Sequence, residues 1–165
     1  MKFFTYRNFS KSGGGSIRIL GILNALAQEL TVSVALREDN VTGLHTSVEA
    51  FSLPTSFPKN KRVFYLLLSF MPGWMLKMVY ASFYKDMQRF IHLHRWEDSS
   101  ILFFEYFDNA VAYFLERTGI IKHYYCDIHG IAPLENKPEP YDSPLVTILK
   151  NIKAFTAKQL DRRVF

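Results

Sequence analysis

Three short polar clusters carry the chemistry this sequence offers. The first, Ser10-Lys11-Ser12-Gly13-Gly14-Gly15-Ser16, stands between a short apolar run (Phe3, Phe4, Tyr6) and a helical one from Ile17 to Leu30. A strand, a glycine turn and a helix bring bare backbone close to a ligand. Glycine allows positive φ and removes the Cβ atoms that hold a ligand away. The helix behind the turn aims unpaired N–H groups and a positive dipole end at whatever sits there, which suits an anion and above all a phosphate. The second cluster is Glu105 to Asn109 and the third is Asp127-Ile128-His129-Gly130. In an extended backbone Asp127 and His129 point to the same side, so the carboxylate, or a nearby carbonyl, would orient the imidazole.

The glycines meet neither common phosphate signature. G-x-G-x-x-G needs a glycine where Arg18 stands, and G-x-x-x-x-G-K-[ST] finds no matching lysine. Taken alone, they leave open a plain strand-to-helix connection.

The elements that must position these clusters follow from the apolar patterning. Lys2 to Arg7 reads as a first strand. Ser16 is placed to cap the next helix, whose polar stripe is Arg18, Gly21, Asn24 and Gln28. Thr31 to Leu36 alternates with period two and predicts a second strand; Ser47 to Leu53 predicts a third. Two helices are expected at roughly 60–71 and 73–95, separated at Pro72-Gly73. Ile101 to Phe107 is a nearly continuous apolar run, as in a strand covered on both faces. A short helix from Ala110 to Arg117, capped by Asp108 or Asn109 and ended by Gly119, leads to a strand from Ile120 to Cys126. A proline-containing loop precedes a last helix at about 144–161. Alternating strands and helices predict an α/β, Rossmann-like, mostly parallel sheet with helices on both faces. Ligands in such sheets collect at the carboxyl ends of the strands, where all three polar clusters fall.

The 165 residues suit a single domain with one core, and 48% apolar content excludes general disorder. A lone Cys126 excludes an internal disulfide framework and a cysteine-based zinc cluster; it reads as an inert buried thiol. The apolar run at the start is too short for a secretory signal, so none is expected, and a reduced, cytoplasmic setting is. Net charge is +5, which favours anionic partners. The basic residues form no recognisable nucleic-acid motif, so nucleic acid is not expected as a partner. From Val63 to Tyr84 only Lys77 is charged, with Lys59, Lys61, Arg62, Lys85 and Arg89 around the segment. Its aromatic content suits core packing and, equally, peripheral contact with the inner face of a membrane through residues 60–95.

Read in order, Asn8-Phe9-Ser10 with Gly13-Gly14-Gly15, then Phe104-Glu105-Tyr106-Phe107-Asp108-Asn109, then Cys126-Asp127-Ile128-His129-Gly130-Ile131 resemble the N-terminal domain of family 4 glycosyltransferases. These are retaining enzymes of the two-domain GT-B architecture, and the likeness runs over nearly the whole chain, 1–165. It implies that Gly14, Gly15 and Ser16 approach the diphosphate of a nucleotide-sugar donor and that His129 serves as the catalytic-cleft histidine near the transferred sugar. It implies an acceptor-side domain receiving a glycan or lipid-linked acceptor, with no metal and no cofactor. It also implies a second domain of similar size that holds the nucleotide and a pair of glutamates. These residues do not carry that domain, so the chain is expected to be an incomplete catalyst, completed by further chain or by a partner chain.

Bland readings stand beside these. Without the resemblance His129 is a hydrogen-bonded structural histidine. Glu105 is an acceptor-binding acid or a buried acid paired with a base. Asp108 is more often a helix cap, and Asp127 an orienting or capping group. His92 and His94 face different directions on a helix and predict no metal pair; His123 reads as structural. The functional alternatives are a non-catalytic module that binds a membrane surface or a partner, and an unrelated Rossmann-like nucleotide binder.

Overall fold

A computed structural model of the chain describes residues 1–9, 13–37, 41–127, 138–144, 146–148, 150–152, 154–155 and 158, with the backbone only at Tyr106. Five parallel strands form one sheet in the order β3-β2-β1-β4-β5. They are β1 (Lys2–Thr5), β2 (Val32–Leu36), β3 (Val48–Ser52), β4 (Ile101–Phe103) and β5 (Tyr124–Cys126). In register, Phe4 lies between Ala35 of β2 and Phe103 of β4. The helices are α1 (Gly14–Leu26), α2 (Lys61–Phe70), α3 (Gly73–Val79), α4 (Ala81–Leu93) and α5 (Tyr106–Arg117). The expected α/β, Rossmann-like sheet with helices on both faces is therefore the observed architecture.

Side-chain alternation along the strands splits the core in two. Phe3, Val32, Val34, Leu36 and Val48 pack with Ile19 and Leu23 of α1 on one face. Phe4, Ala35, Ile101 and Phe103 point to the other face, which α2 to α5 cover with a mainly aromatic layer. Its centre is Phe64 and Phe114, both fully buried with ring centroids 5.7 Å apart, and Phe83 lies 5.1 Å from Phe114. Such pairs add about 0.5–1.5 kcal/mol beyond the area they bury. The aromatic segment thus divides by position. Phe64, Tyr65, Phe83 and Phe90 are core, while Phe70 and Trp74 are each 64% exposed.

Several boundaries differ from the sequence expectation for local reasons. The fourth strand ends at Phe103 because Glu105, extended at φ −121° and ψ 163°, already caps α5, and Asp108 in its first turn accepts from the Glu105 N–H at 3.2 Å. Neither Asp108 nor Asn109 is the cap itself. Gly13, not Ser16, precedes α1, and Ser16 is buried inside its first turn. The segment 73–95 is two helices, broken at Tyr80, whose φ of −112° and ψ of 40° leave the helical region. The fifth strand starts at Tyr124 because the residues before it finish α5: Gly119 takes φ +73° and the Ile120 N–H returns to the Leu115 carbonyl at 2.8 Å. Of the expected last helix, the described residues at 144, 146–148, 150–152, 154–155 and 158 are helical. Phe155 there stacks on Phe70 of α2. Among the described residues no helix is long and apolar enough to cross a membrane.

Candidate functional site

The strand order places a crevice beside β1. From β1 the chain runs outward to β2 and β3; after α2, α3 and α4 it returns to the other side of β1 as β4. Neighbouring connections diverge at the carboxyl ends of β1 and β4, and ligands bind at such reversals in open parallel sheets. Arg7 follows β1, Gly13 to Ser16 open α1, Glu105 and Asp108 follow β4, and Asp127 follows β5. Because every strand is parallel, these positions share one rim.

Two basic residues organise that rim. Arg7 donates from Nη1 to Glu105 Oε1 at 2.6 Å and from Nε to Ser16 Oγ at 3.2 Å, tying the ends of β1 and β4 to the first turn of α1. Its guanidinium lies against the glycines: a Cβ on Gly15 would stand 3.0 Å from Arg7 Cζ and Nη1, and one on Gly13 3.1 Å from Nη2. A Cβ on Gly14 would meet nothing within 4 Å. None of the three has positive φ; Gly13 is extended at φ −161°. Their use here is close approach, not an unusual backbone conformation. Arg18, one turn into α1, pairs with Asp127 at the end of β5. The Asp127 N–H continues the ladder to the Phe103 carbonyl at 2.8 Å.

Beneath this layer Asp108 is fully buried. It accepts from the Tyr6 N–H at 2.8 Å, from the Glu105 N–H and from the Thr5 hydroxyl, so one carboxyl joins the end of β1 to the start of α5. Burial lifts its pKa to about 7; the Tyr6 and Thr5 hydrogen bonds oppose that rise, and the Glu105 charge adds to it. Burial also pushes the Cys126 thiol up to about 12, with the Asp108 charge contributing, which leaves it unreactive at neutral pH. Two polar atoms, Arg18 Nη1 and Asn109 Oδ1, are buried without a partner among the described residues.

The structure brings Gly15, Ser16 and Glu105 together through Arg7, sets Asp108 under them, and holds Asp127 at the same rim through Arg18. Asn109 lies in the first turn of α5, its N–H on the Glu105 carbonyl at 2.8 Å. Ser10 and His129 lie outside the described residues. Glu105 pairs with Arg7 at the rim, and Asp108 is a buried carboxyl that links elements. Arg7 and Arg18 were not singled out as site residues from sequence. The signal for Arg7 was a charged residue directly after an apolar strand and before the glycines; for Arg18 it was membership of the α1 polar stripe.

The remaining histidines are peripheral to the rim. His92 Nδ1 and Glu97 Oε1 are 2.7 Å apart, and the His94 ring rests on Phe51 and Phe90. No family model, no curated protein and no solved structure matches this chain.

Proposed function

We propose that this domain is the N-terminal, acceptor-side half of a retaining GT-B glycosyltransferase, helping to move a sugar from a nucleotide-sugar donor to a glycan or lipid-linked acceptor. The observation that supports this most is the meeting of Arg7, Gly15, Ser16 and Glu105 at the carboxyl ends of β1 and β4, where the strand order reverses. In this reading the donor diphosphate takes the place beside Gly14, Gly15 and Ser16. Arg7 leaves Glu105 and meets the phosphate charge with charge-assisted hydrogen bonds. Donors fixed in advance around a departing diphosphate stabilise the charge that develops on it. Glu105, released from Arg7, and Asp127 then face the acceptor hydroxyls, with His129 at the transferred sugar.

The test has two parts. Fused to the nucleotide-sugar domain of a family 4 enzyme, the chain is expected to support sugar transfer to a lipid-linked or glycan acceptor, and His129→Ala to cut turnover by about tenfold or more without unfolding. The chain alone is expected to bind pyrophosphate weakly and to gain little from an attached nucleoside. Tight binding of UDP, GDP or ADP by the chain alone, with no transfer by the fusion, would replace this reading with that of a nucleotide-binding domain.

A further inference from the structure

The charge of this protein is segregated. Residues 50–85 contain Lys59, Lys61, Arg62, Lys77 and Lys85 and not one Asp or Glu, while the remainder carries 15 basic and 15 acidic residues. The whole net charge of +5 therefore resides in residues 50–85, with Lys61, Arg62 and Lys77 on α2 and α3, Lys59 just before α2 and Lys85 in the first turns of α4. The same segment exposes its largest apolar side chains. Val63, Leu66 and Phe70 recur at i, i+3 and i+7 on α2, and Trp74 and Met78 at i, i+4 on α3, with Val79 beside them. Phe70 and Trp74 are each 64% exposed and Met78 is 70% exposed. Scattered single apolar residues on a surface need no explanation; a run of this kind inside a wholly cationic segment does.

The two kinds of group also meet in space. A cleft of about 340 Å³ has Lys59, just before α2, on one wall and Met78 and Val79, at the end of α3, on the other. We infer that the α2–α3 surface docks on an anionic lipid bilayer, with Trp74 and Met78 entering the headgroup region, the stacked Phe70 and Phe155 rings beside them, and the cations of residues 59–85 supplying the charge that meets lipid phosphates. Charge complementarity selects this occupant: an apolar face meant for a protein core has no use for an acid-free cationic frame, whereas a negatively charged lipid surface rewards both at once. The inference does not depend on the sugar-transfer reading.

The chain carries its own reporter. Of its two tryptophans, Trp96 is 1% exposed and Trp74 faces solvent, so a change in emission on adding vesicles reports Trp74. With vesicles of equal parts phosphatidylcholine and phosphatidylglycerol, the full chain should float, and its emission should shift to the blue and resist an aqueous quencher. Phosphatidylcholine alone should give little of either. Trp74→Ser should weaken partitioning by about tenfold or more, as loss of one large inserted side chain predicts. The exposed triple change K59Q, R62Q and K85Q should remove the preference for the anionic lipid. Raising salt from about 0.1 M, where the Debye length is about 10 Å, should weaken binding without abolishing it. No flotation on anionic vesicles by a chain with native circular dichroism overturns the inference. So does a Trp74 shift that accompanies concentration-dependent self-association without lipid, which would assign the face to a second copy. Neither result touches donor binding or transfer, which are read without vesicles.

Discussion

Arg7 Nη1 donates to Glu105 Oε1 at 2.6 Å, joining the carboxyl end of the central strand to that of its neighbour across the crevice. The pair is partly solvated, with side chains 31% and 20% exposed, so it adds about 1 kcal/mol or less to stability. Its placement says more than its energy. A cation lies directly on the glycine turn, held by one carboxylate that an arriving anion would displace.

Opposite effects on anion affinity are therefore expected from the two ends of this pair. Arg7→Gln should weaken pyrophosphate binding by about tenfold or more, the loss of a charge-assisted hydrogen bond. Glu105→Gln should tighten it by a few fold, because Arg7 is then free before the ligand arrives; glutamine still offers an oxygen as the α5 cap. Calorimetric titration of both variants decides this. Equal affinity in wild type and Arg7→Gln would leave Arg7 with a purely structural part.

Adjacent glycines should behave differently. At Gly14 an added Cβ meets open space and the backbone is helical, so Gly14→Ala should raise stability by about 0.5–1 kcal/mol. At Gly15 the same methyl stands 3.0 Å from the Arg7 guanidinium, a flexible group that can swing away. Gly15→Ala should then leave stability nearly unchanged, the helical gain offsetting the lost ion pair, while altering pyrophosphate affinity. Urea melts read the first quantity and titration the second.

The architecture was legible in the sequence where periodicity decides it. The two-residue alternation of Val32 to Leu36 and the apolar run from Ile101 mark strands, and Pro72-Gly73 and Gly119 mark helix ends. The carboxyl end of β4 and the start of α5 were not legible. Phe104 to Phe107 is as apolar as a strand, and only the return of the Asp108 carboxyl to the Glu105 N–H turns it into a helix start. The candidate site was legible as a set of glycines and acids after strands. Its bases were not, because an arginine after a strand looks like any solvated charge until β1 and β4 are known to be neighbours. Phe64 and Phe70 lie on one helix with the same side chain, and only the position of α5 and the sheet separates core from surface.

Gly73 is set by packing, not by backbone freedom. A Cβ there would come within 2.2 Å of the Arg117 carbonyl oxygen, a backbone atom at the end of α5 that cannot move alone. Gly73→Ala should force α3 away from α5 and cost about 2–3 kcal/mol, as overpacking does. Gly21→Ala, with nothing within 4 Å, is the matched control and should be neutral or stabilising. Thermal melts of the two variants check the contrast; a Gly73→Ala protein as stable as wild type would mean that α3 does not rest on α5.

Stability should fall as pH rises between about 4 and 7, and Asp108 is the reason. Its pKa is about 7 when folded against an ordinary value of 3.8, so the native state keeps a proton that the unfolded chain releases. The contribution is complete below about pH 4 and is lost as pH climbs through the folded value, at up to about 1.4 kcal/mol per pH unit. Glu97, Asp98 and Asp142, whose values lie below the ordinary range through hydrogen bonds and ion pairing, act in the opposite sense in acid, and His94, held below its ordinary 6.5 by desolvation, acts in that opposite sense nearer neutrality. Asp108→Asn keeps an oxygen for the Tyr6 N–H but turns an amide toward the Glu105 N–H, so it should cost about 1 kcal/mol at pH 5. It has no proton to lose, so from pH 5 to pH 7.5 the wild-type urea midpoint should decline relative to that of Asp108→Asn, the His94 contribution being common to both. A wild-type midpoint that does not decline relative to Asp108→Asn over this interval would mean that the three hydrogen-bond donors outweigh burial and hold Asp108 as a carboxylate.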